Sequence, residues 1–243
     1  MNIPILMYHK ILPSIEGDST TLVVAESNFD KQMSCMKSEG YTSILLRDLA
    51  DAVKNKTKLP EKPFVITFDD ALVPVEKYAV PILDKYGFKA VVFVVPAAIG
   101  KYNNWDEGKP VARVDVMTLP ALKKISSMGW EIGSHTLTHA ELQTVTPEKL
   151  KEETAGSKKV LEDLFNTKIT SFCYPYGGIN SVVKQAVIDA GYTAACAISA
   201  RTRSVTEDMF ELKRVYVMPK DSLFTFKRRI AQWYLLLRGI RKR

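Results

Sequence analysis

The chain has 243 residues, 46% of them apolar and 25% charged, which suits one large α/β domain or two small ones of ordinary globular composition. Three cysteines (Cys35, Cys173, Cys196) without framework spacing point to reduced thiols rather than a disulfide scaffold, and no run approaches the ~18 apolar residues of a membrane-spanning helix. The net charge of +7 is local: residues 227–243 hold seven bases and no acid, leaving 27 basic residues against 27 acidic ones elsewhere, so no nucleic-acid partner is expected of the neutral body.

Residues 3–8 read as a first strand running into His9. Residues 28–40 carry Phe29, Met33, Met36 and Lys37 on a helical stripe stopped by Gly40. A short strand over 41–45 and a short helix over 46–54 follow. Residues 64–68, Phe-Val-Ile-Thr-Phe, form a nearly continuous apolar run, as in a strand covered on both faces, and it ends at Asp69-Asp70. Residues 75–86 have helical spacing with Pro81 inside, which predicts a kink or a late start. Residues 90–95 are another buried strand, and 100–114 a long polar loop carrying Trp105 and Asp106. A helix over 119–128 precedes a strand over 130–133 that runs into His135. Thr146 before Pro147 and Glu148 predicts an N-cap opening a helix to about Phe165. Strands over 170–174, 193–197 and 214–217 and a helix over 181–190 complete the order. Strands alternating with helices imply parallel pairing through right-handed crossovers, and seven or eight such units can close into a barrel with its chemistry at the carboxyl ends of the strands. His9, Asp69, Asp70, His135 and Tyr176 all fall at such ends.

His9, His135 and His139 are the only histidines. The four-residue spacing of His135 and His139 puts two imidazoles on one helical face or within reach of one ion on a loop, although two surface histidines would look the same. Asp69 and Asp70 are costly near a core unless paired, and a cation relieves that cost; helix capping is the plainer alternative. The stretch from Tyr174 to Gly178, Tyr-Pro-Tyr-Gly-Gly, is a sharp loop whose amides can stabilise an oxyanion, or simply a turn.

Taken in order, Thr67-Phe-Asp69-Asp70, His135-Thr-Leu-Thr-His139 and Tyr174-Pro-Tyr-Gly-Gly178 resemble the polysaccharide deacetylase (NodB-homology, carbohydrate esterase family four) pattern over residues 3 to about 217. The resemblance implies an α/β fold, a distorted, incomplete (β/α)7-type barrel of parallel strands. It implies that Asp70, His135 and His139 bind a divalent metal, most simply zinc, that Asp69 is the general base, and that Pro175 and Tyr176 wall the substrate groove. The opening Met7-Tyr-His9 resembles the branch containing poly-N-acetylglucosamine deacetylases and makes His9 the general acid. The implied activity is metal-dependent hydrolysis of N-acetyl groups on an amino-sugar glycan or glycan precursor. Deacylation of a lipid-linked sugar, or silent glycan binding, are the alternatives.

The chain departs from the family pattern in three places. Ala71 stands where glycine is usual, Thr170 where an arginine is usual, and Leu212-Lys-Arg214 where a Leu-x-His is usual. Arg214 is expected to orient Asp69, with His9 replacing the late histidine. Trp105 is expected either to stack on a sugar or to plug the barrel rim. Residues 1–220 are expected to form the deacetylase domain. Residues 221–243, with Phe226, Ile230, Trp233, Tyr234, Leu237 and Ile240 on one stripe among basic residues, are expected to form an amphipathic helix that packs on the barrel or contacts an anionic membrane. With no evident leader before His9, the expectation is a cytoplasmic protein, peripheral at the inner membrane face.

Overall fold

The computed structural model of the protein describes residues 3–16, 20–198 and 207–231. Its strands are β1 (Ile5–Tyr8), β2 (Lys10–Leu12), β3 (Val23–Ala25), β4 (Thr42–Ser43), β5 (Pro63–Phe68), β6 (Val91–Val94), β7 (Glu131–Ser134), β8 (Ser171–Cys173), β9 (Ala194–Ala197), β10 (Leu212–Lys213) and β11 (Val215–Tyr216). The main sheet is parallel throughout, in the order β10-β9-β8-β7-β6-β5-β1-β11, with β4 beside β5. β2 and β3 form a small separate sheet, too short to leave a periodic signal in the sequence.

The two ends of the sheet are one stretch of chain. β10 pairs with β9 at Leu212 and Lys213, β11 pairs with β1 at Val215 and Tyr216, and Arg214 lies between them. The strand expected over 214–217 is therefore split: its first half lies two residues earlier, on β9, and the break falls at Arg214. The sheet curls into a nearly closed, seven-position wall that no ladder seals between β10 and β11.

The helices are α1 (Glu26–Ser38), α2 (Leu46–Asn55), α3 (Val80–Tyr86), α4 (Leu119–Ser127), α5 (Pro147–Lys151), α6 (Ser157–Phe165), α7 (Ser181–Asp189) and α8 (Leu223–Ile230). Pro81, with no N–H to give, sits in the first turn of α3, and a wide π turn over Val75–Ala79 leads into it. A second π turn, Glu152–Gly156, joins α5 to α6, with Thr146 capping α5 as expected.

Period-two alternation along the strands sorts the core into two layers. Leu6, Tyr8, Ile66, Phe68, Val92, Val94, Phe172 and Val215 face the surrounding helices. Ile5, Val65, Val91, Phe93, Cys173, Cys196 and Leu212 cluster instead with Leu46, Leu49 and Ala50 of α2, which plugs the lower, amino-terminal end. Small residues make room in this inner layer: a Cβ added at Gly133 would lie 2.6 Å from the Phe93 ring.

The helix at the end of the described chain differs from the expectation. α8 stops at Ile230, and Ala231 is extended (φ −61°, ψ 134°). Phe226 and Ile230 are buried in the main core, so this helix packs on the body. The rest of the expected stripe, Trp233 to Ile240, lies outside the described residues.

Candidate metal and catalytic site

The parallel ladder delivers the site to the upper, carboxyl rim. Asp69 N donates to the Tyr8 carbonyl (3.0 Å) and His135 N to the Val94 carbonyl (2.8 Å), so pairing continues one residue past each strand and fixes both backbones. Beyond those points the chain turns abruptly. Seven described non-glycine residues have positive φ, and five of them, Asp70, Ala71, Thr136, His139 and Tyr176, lie on the loops that form the site. Backbone strain of this kind gathers where a loop must hold functional groups. Ala71 takes φ 54° fully buried, the conformation its usual glycine would adopt freely. Its methyl group is packed in the core, which offsets much of the strain.

Arg214, at the break between β10 and β11, points into the barrel. Its Nη1 and Nη2 donate to Asp69 Oδ1 (2.6 Å) and Oδ2 (2.7 Å), a bidentate pair, and Nη1 also reaches Thr67 Oγ1 (3.1 Å). Thr67 in turn donates to the Leu6 carbonyl (2.8 Å). Burial by itself would raise the Asp69 pKa, but the Arg214 charge, followed by His9, outweighs it and holds the carboxyl well below the usual range. His9 Nε2 lies 3.5 Å from Asp69 Oδ2. The geometry thus has Arg214 gripping both Asp69 oxygens, from a position separated from β5 only by β1.

Asp70 turns the other way. Its Oδ1 lies 3.3 Å from His139 Nε2 and 3.6 Å from His135 Nε2, and it is buried without a hydrogen-bond partner. His135 Nδ1 is 2.8 Å from the Cys173 carbonyl. A carbonyl only accepts, so Nδ1 carries the hydrogen and Nε2 keeps its lone pair. Burial pushes His135 down to about 4, so the ring is neutral near pH 7. An imidazole lone pair and a carboxylate oxygen facing each other in a buried space are mutually repulsive unless a cation lies between them.

Two groups of three among the described residues could hold a metal ion: Asp70, His135 and His139, and Asp69, His135 and Cys173. The first is favoured. In the second, both Asp69 oxygens are occupied by Arg214, and burial pushes the Cys173 thiol up, away from the thiolate a metal needs. An Asp-His-His set with its far nitrogens held by outer hydrogen bonds fits a divalent ion with open positions. The histidine pair lies on a loop, not on a helical face.

His139 is fixed on three sides. Trp105 stacks on its ring (centroids 4.5 Å apart, 14° between planes), Tyr176 meets it edge-on, and the Tyr176 hydroxyl is 3.1 Å from Nδ1. Trp105 thus spends one face on His139. Tyr176 is itself half exposed, with Lys109 Nζ 3.5 Å from its hydroxyl. Pro175 is buried behind it in a 3₁₀ turn. His9, Asp69, Asp70, Trp105, His135, His139, Pro175 and Tyr176 lie on this rim or the loops beside it, and Arg214 reaches the site from inside the barrel.

Sequence reading missed Glu153. Its side chain, fully buried, accepts from Leu137 N (2.9 Å), Thr138 N (2.9 Å) and Thr138 Oγ1 (2.6 Å), and ties down the loop between the two histidines. The signal was available: Glu153 falls on the stripe of Leu150, Thr154, Ser157 and Leu161 that faces inward.

The family model for polysaccharide deacetylase matches residues 56–195, more than half of the chain, and the chain belongs to that family. YxkH of Bacillus subtilis (strain 168), whose name places it in the same family, is 30% identical over 217 residues, 89% of this chain and 72% of its own length. Poly-beta-1,6-N-acetyl-D-glucosamine N-deacetylase of Staphylococcus aureus (strain MRSA252) is 27% identical over 183 residues, 70% of this chain, which spans only 60% of that protein. Among solved structures, the Streptococcus pyogenes deacetylase PplD in complex with acetate superposes with a TM-score of 0.82 at 26% identity, covering 95% of this chain and 99% of that one.

Proposed function

We propose that the protein is a divalent-metal-dependent deacetylase that removes N-acetyl groups from an amino-sugar glycan. The observation that carries the reading is the buried, unpartnered Asp70 Oδ1 facing two imidazole nitrogens. Asp70, His135 and His139 would hold the ion, most simply zinc. Bound there, it would polarise the amide carbonyl and acidify water toward a pKa of ~7.

The chain's own groups supply the proton transfers. Asp69 is ionised and locked in orientation by Arg214, so it takes up the proton of the attacking water. With the ion bound, acidification of that water would bring the transfer within reach of so weak a base. His9, on the other side of Asp69, is placed to protonate the departing amine, which is a poor leaving group without a proton. The Tyr176 backbone amide, at the tip of a turn with φ 58°, serves the oxyanion.

An open cleft of about 680 Å³ begins at Gly177 and Gly178, next to Tyr176, and runs past Gln143, Asn180 and Gln185. Its volume and the amide side chains of Gln143, Asn180 and Gln185 suit further sugar units, which favours an oligomeric glycan over a lipid-linked monosaccharide. The Staphylococcus aureus relative's name supports poly-β-1,6-N-acetylglucosamine as the first polymer to try. A silent glycan-binding protein has no use for the Arg214–Asp69–His9 alignment, which argues against that reading. The test is acetate release from β-1,6-linked N-acetylglucosamine oligomers, with and without chelator. Chelator-sensitive release is expected. Activity confined to a lipid-linked monosaccharide, or release indifferent to chelator, would overturn the proposal.

A further inference from the structure

We propose that the outward face of α8 docks on an anionic lipid bilayer. α8 is held to the body by Phe226 and Ile230, both buried, and by Arg229, which pairs with Asp221 (3.1 Å) and donates to the Tyr216 carbonyl (3.0 Å). A helix anchored by one apolar stripe ordinarily shows solvent a polar face. Leu223, 40% exposed, lies at the edge of the anchored stripe, and the opposite face presents Phe224, 75% exposed, the most exposed large apolar side chain among the described residues. Positions 224, 227 and 228 share that face, so Lys227 and Arg228 flank the phenyl ring, and exposed Lys220 precedes it. Lys227 is paired with Glu39 at 2.7 Å; no ion pair of Arg228 is seen among the described residues.

The sequence that follows continues the same chemistry. Residues 232–243 contain Trp233, Tyr234, three consecutive leucines and Ile240, with Arg238, Arg241, Lys242 and Arg243 and no acid. An apolar tip that enters the acyl boundary beside cations that meet acidic headgroups is the recipe for peripheral membrane binding, where either signal alone is marginal. A nucleic-acid partner fits less well. The exposed apolar pair is half aliphatic, and the rest of the chain is formally neutral. This inference does not depend on the deacetylase reading.

The experiment is sedimentation of the full chain with vesicles of phosphatidylcholine alone or with about a third phosphatidylglycerol, at low salt and at about 0.5 M salt. Partitioning onto the anionic vesicles is expected to be at least about tenfold stronger than onto neutral ones, and to fall with salt. Replacing both Leu223→Ser and Phe224→Ser is expected to weaken it by about tenfold or more. Both positions are exposed, so an unchanged thermal melt will show that the fold is intact. Equal binding to both vesicles, no binding to either, indifference to the double substitution, or tighter binding to single-stranded RNA than to anionic vesicles would overturn the proposal.

Discussion

At the lower end of the barrel Glu131 opens β7; four residues on, at the upper end, the same strand delivers His135 beside Asp69 and Asp70. All three carboxylates are buried, and they are held in opposite ways. Glu131 accepts only from neutral donors, the Arg47 amide at the start of α2 (3.0 Å) and the Ser171 hydroxyl. Burial therefore dominates and raises its pKa. At the upper end burial pushes the same way, yet the Arg214 guanidinium outweighs it and holds Asp69 below the usual range. The difference teaches that depth alone does not mark a working acid. A cation within reach does, because it keeps the buried carboxylate charged and therefore able to bind metal or take a proton.

The sharpest way to break this contrast is Asp69→Asn. Loss of the base is expected to reduce kcat by about 10²–10⁴-fold while metal content stays at the wild-type level. A variant with near-normal turnover would remove Asp69 from the chemistry. Arg214→Lys comes next. A lysine cannot match both carboxylate oxygens, so turnover is expected to fall by about tenfold or more. With its restraint weakened, the Asp69 pKa rises, and because the base must be deprotonated, the acid limb of kcat/KM moves to higher pH. A profile that drops without shifting would mean that Arg214 serves only the fold.

Glu153→Gln tests the support beneath the histidine loop. A glutamine keeps one oxygen for the two loop amides but loses the charge and the oxygen that accepts from the Thr138 hydroxyl, so metal affinity measured by competition titration is expected to weaken by up to about tenfold, with kcat at saturating metal less affected. The smallest effect is expected at the lower end. Glu131 has a folded pKa above its unfolded one, so the stability it contributes is full below the unfolded value of about 4.3 and is lost as pH rises through the folded value. Glu131→Gln removes that dependence. Denaturant unfolding from about pH 4 to pH 7 is therefore expected to show the variant gaining on the wild type as pH rises, with activity changed less than about twofold. An equal effect on activity would erase the distinction between the two ends.

The wall of the barrel is legible in the sequence because buried parallel strands write themselves as short apolar runs: Phe64 to Phe68 needed no other clue. Asp69, Asp70, His135 and His139 are legible because polar groups directly after such runs have no apolar reason to be there. What escaped is what depends on three-dimensional closure. β2 and β3 have three residues each, too few for a period. The split at Arg214 arises because the residue that meets Asp69 must leave the ladder, and nothing local in Leu-Lys-Arg-Val-Tyr announces that. Glu153 sat on the inward stripe of a correctly read helix, but its target is a loop whose path only the fold provides. The helix expected over 221–243 starts at Leu223 and stops at Ile230, although no proline or glycine marks the place.

The central claim is that Asp70, His135 and His139 hold one divalent ion. Metal analysis of the dialysed, zinc-reconstituted protein beside Asp70→Ala and His135→Ala tests it without reference to any substrate. Stoichiometric zinc in the wild type, lost from both variants while their folds persist by circular dichroism, is the predicted result. Wild-type zinc content in a folded Asp70→Ala protein would contradict it.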